Sequence, residues 1–508
     1  MLQYSTAASS KFSFSPSLLT RSQKSTENNL RFSQETLWHS KTRYSLGVIS
    51  LMKNIFICAV VICTTCIYPI KTLAGEKPSA IFHAFDQQYT DIEKFVCEIG
   101  KQGYSHIQIS PAQKSNPAPE WWARYQPVDY SIIEGRGSLL NLKKLISQAH
   151  SCKVKVIADV VFNHMANLDG NDDFEDLTKF PGLSINDFNS DSNRPGKKPC
   201  SINYSDGNRD SEINCWLGGL PELRFTNNVK KIQKTHLKKL LDLGIDGFRF
   251  DAAKHIPADV VKEYIGYVDQ QSQGKAWNYL EVITDGDTSA ENYNWIAAVT
   301  DFVLYNSMKN AFSFGGDLRS LRVPTGINDP RSVTFGRNHD TIREINSNAI
   351  NPYSDPSDSF LATAYILARE SGTPLILNWD NRDAAFIKYG VKFRQIMHQR
   401  GNQGKNTKEN VLAAIDSPTV LLMERGSEGF FVVNKGENKF NIPALDLTLT
   451  NLDGCYRELR NNFTVAIERR DRKKKFITRW GSWNRGGMEV QKRDALYFIR
   501  EPFNQCQM

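Results

Sequence analysis

The sequence predicts an α/β protein built on a (β/α)8 barrel, with a small domain inserted after the third strand and an antiparallel β domain at the C-terminus. Eight short apolar segments rich in β-forming residues recur along the chain, and most are separated by helix-like segments whose apolar residues recur at three and four. Beyond about residue 411 the pattern changes to strand-like runs separated by turn residues, as in TVLLMER, GFFVVNK and ALYFIRE.

The eight predicted strands are IFHAF (81–85), HIQIS (106–110), VKVIADVVF (154–162), IDGFRF (245–250), NYLEVI (278–283), DFVLY (301–305), SVTFG (332–336) and PLILN (374–378). Helix-like segments between them include LLNLKKLISQAH and VKKIQKTHLKKLLDLG. Because the spacing from His164 to Asp251 exceeds one strand-helix unit, we predict an inserted domain over residues 165–228. The barrel would then comprise residues 75–164 and 229–410, and the C-terminal β domain residues 411–508.

Residues 52–74, MKNIFICAVVICTTCIYPIKTLA, have the pattern of a secretory signal peptide, with Lys53 before an apolar run and small residues at its end. The alternative is a membrane anchor, but the run is broken by threonines and Pro69 and is shorter than the ~20 residues of a span. Residues 1–51 are serine-rich and poor in acids. They fit an organelle transit sequence or, as we expect, upstream translated sequence that does not fold, so a secreted protein without stable membrane association is predicted.

Charge and cysteine content agree with export. The 508 residues contain 63 Lys+Arg and 55 Asp+Glu, a formal net charge of +8. Residues 1–74 hold eight of the basic and two of the acidic residues, so the remainder has a net charge of +2 and no nucleic-acid partner is expected. Six cysteines follow residue 74, and an even number in an exported chain suggests disulfides, although many pairings are possible.

Ionisable residues stand at the ends of the predicted strands. In GFRFDAAKHI (247–256) an apolar run carries Arg249 and Asp251, although burying an unpaired charge costs several kcal/mol. Asn163 and His164 follow the third strand, Glu281 ends the fifth, and His339 and Asp340 end the seventh. Catalytic groups of (β/α)8 barrels gather at these strand ends. A lone carboxylate would be a solvated loop residue, but three carboxylates with two histidines suit cleavage of a glycosidic bond.

Four segments resemble the ordered signature regions of the α-amylase family of glycoside hydrolases: DVVFNH (159–164), GFRFDAAKHI, EVITDG (281–286) and RNHD (337–340). WWARYQPVDY (121–130) resembles the animal-type branch, and the resemblance covers most of residues 79–435. It implies a secreted, retaining hydrolase that cleaves α-1,4 bonds inside starch, glycogen or maltooligosaccharide chains.

Two alternatives remain open at this point. The first is a maltooligosaccharide-specific hydrolase or transglycosylase of the same family. The second, from a different class, is a catalytically silent, membrane-anchored relative; such proteins typically lack some of the carboxylates, and this chain has all three. A monomer is expected.

The resemblance implies a role for each matching residue. Asp251 would be the nucleophile, Glu281 the general acid and then base, and Asp340 the transition-state stabiliser, with Glu281 kept protonated by poor solvation and neighbouring negative charge. Trp121, Trp122 and Tyr125 would offer flat faces to glucose rings, the alternative being core aromatic residues. The full substrate-binding set implied is Trp121, Trp122, Tyr125, Gln126, His164, Arg249, Lys254, His255 and His339.

The resemblance also implies a structural calcium ion between the barrel and the inserted domain. The matching ligands are the side chains of Asn163 and Glu222 and the backbone carbonyls of Ile213 and His255, and oxygen ligands of this kind suit Ca²⁺. Glu222 stands where the family usually has aspartate, so its longer arm could weaken the site.

Chloride is not expected, although animal-type relatives often bind it through two arginines and an asparagine. Arg249 and Asn338 match two of these positions, but the third falls at Leu375, which is apolar. Arg337 is the residue that could supply the missing charge.

For the disulfides, the resemblance implies that Cys200 pairs with Cys215. Cys97 and Cys152 approximate a second pair of the family, which leaves Cys455 with Cys506.

Overall fold

The computed structural model describes residues 75–205, 207–327, 330–480, 483–484 and 486–506. The predicted upstream segment (1–51) and signal peptide (52–74) lie outside these ranges. No helix in the described ranges is long and apolar enough to cross a membrane.

The strands that precede residue 411 are β1 (Ile81–Ala84), β2 (His106–Ile109), β3 (Gln113–Ser115), β4 (Pro127–Ile133), β5 (Lys155–Val161), β6 (Gly247–Asp251), β7 (Tyr279–Leu280), β8 (Ala298–Thr300), β9 (Ser332–Thr334) and β10 (Thr373–Leu377). The later strands are β11 (Glu409–Val411), β12 (Val420–Arg425), β13 (Gly429–Asn434), β14 (Phe440–Ile442), β15 (Leu445–Asp446), β16 (Gly454–Glu458), β17 (Thr464–Arg470), β18 (Lys473–Trp480), β19 (Trp483–Asn484), β20 (Met488–Val490) and β21 (Asp494–Glu501). The α-helices are α1 (Tyr89–Gln102), α2 (Leu139–Ser151), α3 (Asp210–Asn214), α4 (Asn227–Leu243), α5 (Ala258–Ser272), α6 (Phe302–Phe312), α7 (Pro356–Ala368), α8 (Asn378–Asp383) and α9 (Ala385–Asn402).

Eight parallel strands close into a barrel in the order β1, β2, β5, β6, β7, β8, β9 and β10, and β10 pairs back with β1. The strands are short and buried on both faces, by the barrel interior on one side and the surrounding helices on the other. The sequence-based fold class, a (β/α)8 barrel with an inserted region and a C-terminal antiparallel β domain, is therefore confirmed.

The sixth predicted strand was wrong. DFVLY does not form a strand: the barrel strand is the preceding β8, and Phe302 begins α6. Asp301 explains the change, because its side chain accepts a hydrogen bond from the backbone N–H of Leu304 at 2.9 Å and caps the helix. An N-cap outweighed the β propensity of the apolar residues after it.

A long connection separates the third barrel strand, β5, from the fourth, β6. It contains two single-turn 3-10 helices (Leu177–Lys179 and Ile185–Asp187), the short α3, and then α4, which returns the chain to the barrel. An isolated bridge between His164 and Glu222 joins the start of this connection to its end. The connection therefore folds back over the carboxyl ends of the strands, although the limits 165–228 remain a prediction.

The C-terminal sheet packs against the barrel through its middle strands. Strand order is β11, β12, β13, β21, β16, β17, β18 and β15, so the last long strand, β21, lies in the centre. Tyr497 of β21 donates a hydrogen bond to the carbonyl of Ala364 in α7 at 3.1 Å. A side chain at Gly390 of α9 would place its Cβ 2.4 Å from the Tyr497 hydroxyl, so glycine is needed for this close approach.

The three disulfides of the structure are Cys97–Cys152, Cys200–Cys215 and Cys455–Cys506. The two pairings expected from the resemblance, Cys97–Cys152 and Cys200–Cys215, are present, and so is Cys455–Cys506, which was expected by elimination. The first joins α1 to the end of α2, the second lies within the β5–β6 connection, and the third fixes the chain after β21 to β16.

Candidate active site

Three adjacent barrel strands bring four charged side chains together at their carboxyl ends. Parallel register places Asp159 of β5 beside Arg249 of β6, and Val161 beside Asp251. Arg249 Nη1 contacts both Asp159 oxygens at 2.8 and 2.7 Å and Asp251 Oδ1 at 2.9 Å. Its Nη2 lies 2.6 Å from Oε1 of Glu281, which follows β7. One buried guanidinium therefore holds three carboxylates, an arrangement that its rigid fork of donors permits.

The backbone after β6 completes this cluster. Ala252 adopts φ 48° and ψ 33°, a left-handed conformation that turns the chain sharply after Asp251. Its N–H donates to Glu281 Oε2 at 2.8 Å. Glu281 is thus held at one oxygen by Arg249 and at the other by the backbone.

Burial and neighbouring charge separate the pKa values of these carboxyls. Burial raises the pKa of Asp251 well above its usual range, and the charges of Glu281 and Asp159 add to that effect. Burial also raises the pKa of Asp340 well above its usual range, and the charge of Glu281 is the main neighbouring contribution. Burial also raises the pKa of Asp159, to about 6.

Glu281 departs from the sequence-based expectation of a protonated acid. Burial opposes its ionisation, but the Arg249 charge and the N–H of Ala252 outweigh burial and lower its pKa. The charge of the neighbouring Glu281 adds to burial in raising the pKa of Asp340. These opposite directions favour the ionised form of Glu281 in the ligand-free site.

An aromatic stack borders the carboxylates. The His339 ring lies between Tyr125, with centroids 5.3 Å apart, and Phe85, 4.8 Å apart, both nearly parallel to it. Its Nε2 lies 3.3 Å from Asp340 Oδ1. Burial, with the Arg249 charge, lowers the pKa of His339 well below its usual range, so the ring is neutral. Trp121 stands at the edge of this stack, 5.8 Å from the His339 centroid.

The other predicted sugar-binding residues of the segment 121–130, together with His164, lie around Tyr125. Tyr125 donates its hydroxyl to Asp159 Oδ2 at 3.1 Å, and its carbonyl contacts His164 Nε2 at 3.0 Å. The Gln126 amide oxygen accepts from Asn116 at 2.8 Å, and Trp122 is partly exposed. These contacts orient the aromatic residues but leave little of Tyr125 and Gln126 exposed.

Lys254 and His255 sit in the single 3-10 turn that follows β6. Lys254 Nζ forms an ion pair with Asp285 and lies 4.3 Å from the Tyr204 ring centroid. His255 Nδ1 contacts the carbonyl of Glu212 at 2.8 Å. The turn therefore joins the barrel to α3 of the long connection and to the segment after Glu281.

The predicted calcium ligands fit a cation that binds oxygen, because two of their oxygen atoms are buried without a hydrogen-bond partner among the described residues. Asn163 Nδ2 donates to Glu222 Oε2 at 2.8 Å. Asn163 Oδ1 and Glu222 Oε1 are both buried and have no hydrogen-bond partner among the described residues. Burial raises the pKa of Glu222 well above its usual range, since no cationic side chain compensates it. His255 contacts Glu212, next to Ile213, so the two predicted carbonyl ligands belong to contacting segments.

No cluster of three or more His, Cys, Asp or Glu side chains in the described ranges is arranged to hold a metal. The predicted calcium set contains only one such donating side chain, Glu222, and would depend on an amide and two carbonyls.

Sequence reasoning left three participants unassigned. Asp159 binds Arg249 from the middle of β5, Phe85 stacks on His339, and Asp285 pairs with Lys254. Asp159 carried a usable signal, because an acid inside an apolar strand demands a buried partner just as Arg249 did. Phe85 and Asp285 carried no such signal, since each contacts a residue that is distant in the sequence.

A closed parallel barrel with clustered carboxylates at its strand ends is the architecture of barrel glycoside hydrolases. The family model for the α-amylase catalytic domain matches residues 97–305. An α-amylase of Phaedon cochleariae is 31% identical over 63% of this chain and 70% of its own length. One of Aeromonas hydrophila is 28% identical over 70% of this chain and 84% of its own. The chain belongs to the α-amylase family of glycoside hydrolases.

Solved structures support the same fold. The crystal structure of an α-amylase I variant of Eisenia fetida, in complex with maltohexaose, superposes with a TM-score of 0.66 at 20% sequence identity. The superposition covers 82% of this chain and 99% of the Eisenia fetida chain.

Proposed function

We propose that the protein is a secreted, retaining α-1,4-glucan hydrolase that cleaves within starch, glycogen or maltooligosaccharide chains. The observation that carries this proposal is the shared guanidinium of Arg249, which contacts Asp251 through one nitrogen and Glu281 through the other. In a retaining glycosidase the two catalytic carboxyl groups lie only about 5 Å apart. A single guanidinium that contacts both Asp251 and Glu281 favours such a short spacing.

In the proposed reaction Asp251 attacks the anomeric carbon while Glu281 protonates the departing oxygen, then takes a proton from the incoming water. Arg249 opposes the effect of burial on Asp251: its charge and hydrogen bond lower the pKa of this carboxyl and hold it in place for the attack. Glu281 must be protonated to do this. We infer that sugar hydroxyls donating to Asp340 favour the ionised form of Asp340, so that a proton shared by the two neighbouring carboxyls lies on Glu281.

The remaining predicted residues would position the sugar. Trp121 and Trp122 keep exposed surface for ring packing, and His339 would donate to a hydroxyl of the sugar being cleaved. The single N–H of the neutral His164 ring is used on the Tyr125 carbonyl, so His164 would act by holding Tyr125 in place. Lys254 and His255 would border the neighbouring sugar on the leaving-group side.

Product analysis tests this proposal against the maltooligosaccharide-specific alternative. We expect fresh products of the α-anomer, recorded by proton NMR within the first turnovers. We also expect a rapid fall in the viscosity of soluble starch before much reducing sugar appears. β-Anomeric products would contradict retention, and slow viscosity loss with fast cleavage of short maltooligosaccharides would favour the alternative.

Export is supported by the signal-like segment 52–74 and by three disulfides, which persist in oxidising compartments. N-terminal sequencing of protein from the culture medium should begin just after residue 74. We also propose the division of the chain into barrel (75–164 and 229–410), inserted domain (165–228) and C-terminal domain (411–508).

We propose that Asn163, Glu222 and the carbonyls of Ile213 and His255 hold a structural calcium ion. Bound calcium would neutralise the buried carboxylate and tie the long connection to the barrel. A ligand that binds only the folded state at about 100 times its Kd stabilises it by about 2.7 kcal/mol. Chelation is therefore expected to lower Tm, and calcium to restore it.

Substitution separates this site from nonspecific calcium effects. Glu222→Gln should abolish the Tm difference between chelated and calcium-loaded protein. Glu458→Gln, at a buried carboxylate of β16, should preserve it. An equal chelation effect in wild type and Glu222→Gln would contradict the assignment.

We propose that activity does not require chloride. Leu375 is buried in the apolar barrel core, and Arg337 Nε is committed to Asp380 at 2.6 Å. The Asn338 side-chain oxygen accepts the N–H groups of Asp340 and Thr341. An anion beside Arg249 would thus lack a second arginine to offset its desolvation.

Activity in chloride-free buffer is expected to equal that in sodium chloride, with sodium nitrate and sodium sulfate as ionic-strength controls. A saturable, chloride-specific rise of several-fold would contradict the proposal.

A further inference from the structure

A second cavity lies on the face of the barrel opposite the carboxylate cluster. It has a volume of about 620 Å³, and its lining comes from the segment before β1, the loop before β10, the end of α9 and the start of the C-terminal sheet. These segments meet the amino ends of the barrel strands, whereas Asp251 and Glu281 stand at carboxyl ends. The cavity is therefore separate from the candidate active site.

The lining is strongly basic. It includes Lys77, Arg394, Lys405, Lys408 and Arg425, together with His398, against a single acidic residue, Glu370. Burial lowers the pKa of His398, with the charge of Arg394 adding to that effect, so the imidazole is neutral near pH 7. Five cations therefore face one carboxylate.

Two of the cations are rigidly held at the cavity wall. Arg394 donates to the backbone carbonyls of Arg369, Glu370 and Gly372, and Arg425 to those of Thr407, Ala368 and Arg369. Both side chains are almost fully buried, and neither forms an ion pair with a described carboxylate. Burial, with the neighbouring Arg425, lowers the pKa of Arg394 to about 9. This is a pair of buried positive charges that contacts backbone carbonyls and no carboxylate of the described residues directly.

The buried carboxylate of Glu409 raises the pKa of both arginines through its charge but contacts neither of them directly. Glu409 uses Oε1 on the Arg369 guanidinium at 3.2 Å and Oε2 on the backbone N–H groups of Glu370 and Ser371. Lys405 and Lys408 at the rim are exposed, and neither ammonium group pairs with a carboxylate anywhere in the described ranges. The cavity thus joins an inner pair of buried arginines to two exposed outer lysines.

We propose that this cavity binds a phosphate monoester carried on a saccharide. A phosphate dianion would meet both guanidinium groups and the rim lysines, because arginine matches the oxygen geometry of phosphate and charged hydrogen bonds are the strong ones. The volume falls in the range of small-molecule sites, larger than a bare phosphate needs. Asn402, Asn406 and Thr407 offer polar groups for hydroxyls.

The phosphate ester could be a free sugar phosphate or a phosphoryl group on a glucan chain, and binding measurements distinguish the two. Calorimetry at low salt would use the mature protein carrying Asp251→Asn, so that oligosaccharides stay intact. The probes are glucose 6-phosphate, a phosphorylated maltooligosaccharide, the same maltooligosaccharide without phosphate, and inorganic phosphate. Binding of glucose 6-phosphate supports the free source, and binding of the phosphorylated chain alone supports the glucan.

The variant Lys405→Gln/Lys408→Gln removes two exposed charges that make no ion pair, so its fold should be intact. It is expected to weaken phosphate-ester binding at least about tenfold, equal to about 1.4 kcal/mol. Lys143→Gln/Lys144→Gln, which removes the same charge from the exposed face of α2, should leave binding unchanged.

Three results would overturn the proposal. The first is no saturable binding of either phosphate ester, and the second is an equal loss of affinity in both lysine variants. The third is binding of inorganic phosphate, or of the unphosphorylated chain, as tight as that of the esters. The experiment detects binding alone, so its failure is distinct from any failure of the catalytic assignments.

Discussion

Replacing Asp251 with asparagine is expected to lower kcat by several powers of ten while binding of a long maltooligosaccharide persists. Asparagine keeps the shape of the side chain but is a much poorer nucleophile, so the loss falls on the transition state and not on the bound substrate. Glu281→Gln should act similarly, because an amide cannot protonate the departing oxygen. Hydrolysis rates and calorimetric binding, measured side by side, test both.

A surface carboxylate supplies the matched control for this series. Asp242 lies on the exposed side of α4 and pairs with Lys238 at 2.6 Å. Asp242→Asn makes the same chemical change away from the barrel and should retain wild-type turnover. Turnover near the wild-type rate in either Asp251→Asn or Glu281→Gln would refute the catalytic assignment.

Loss of Arg249 is expected to damage both stability and catalysis. Arg249→Met leaves Asp159, Asp251 and Glu281 buried without their cation, and removing one partner of a buried ion pair typically costs about 3–5 kcal/mol. Arg249→Lys should rescue only part of this loss, because a single ammonium cannot contact two carboxylates through two separate nitrogens. Denaturant unfolding at fixed pH measures the free energy, and hydrolysis rates measure the activity.

The pH dependence of that loss has a defined sign. In the wild type the lowered pKa of Glu281 contributes stability that is present above its unfolded pKa and is lost as pH falls. Without Arg249 the buried carboxyls have raised pKa values, so the variant loses stability as pH rises through them. The stability gap should widen from pH 5 to pH 8. Arg319→Met, at an exposed arginine paired with Asp317, should show little gap at either pH. A gap independent of pH would contradict the electrostatic explanation.

Most of the barrel could be predicted from the sequence because strands that are buried on both faces are mostly apolar, and such short apolar runs are easy to recognise. The failure at DFVLY has a local cause, the capping side chain of Asp301. Strand β8 is only three residues long and ends directly before Asp301, so its apolar run was too short to be recognised as the strand.

The carboxylate positions could be predicted, but their protonation could not. Asp251 and Glu281 were found because ionised groups ended apolar strands. The lowered pKa of Glu281 depends on a 2.6 Å contact with Arg249 across two strands and on the left-handed turn at Ala252. Spacing along a sequence carries no information about such distances, and the same holds for the stacking of Phe85 on His339.

The central position of β21 affects how the protein is made. This strand is the last of the chain, yet it pairs with β13 on one side and β16 on the other and brings Tyr497 against α7 and α9. Until it emerges during synthesis, the two halves of the C-terminal sheet cannot join, and apolar surface of the barrel helices stays exposed to water. A chain that is cut before Asp494 therefore lacks the strand that joins both halves of the sheet, and we expect it to expose apolar surface and to aggregate.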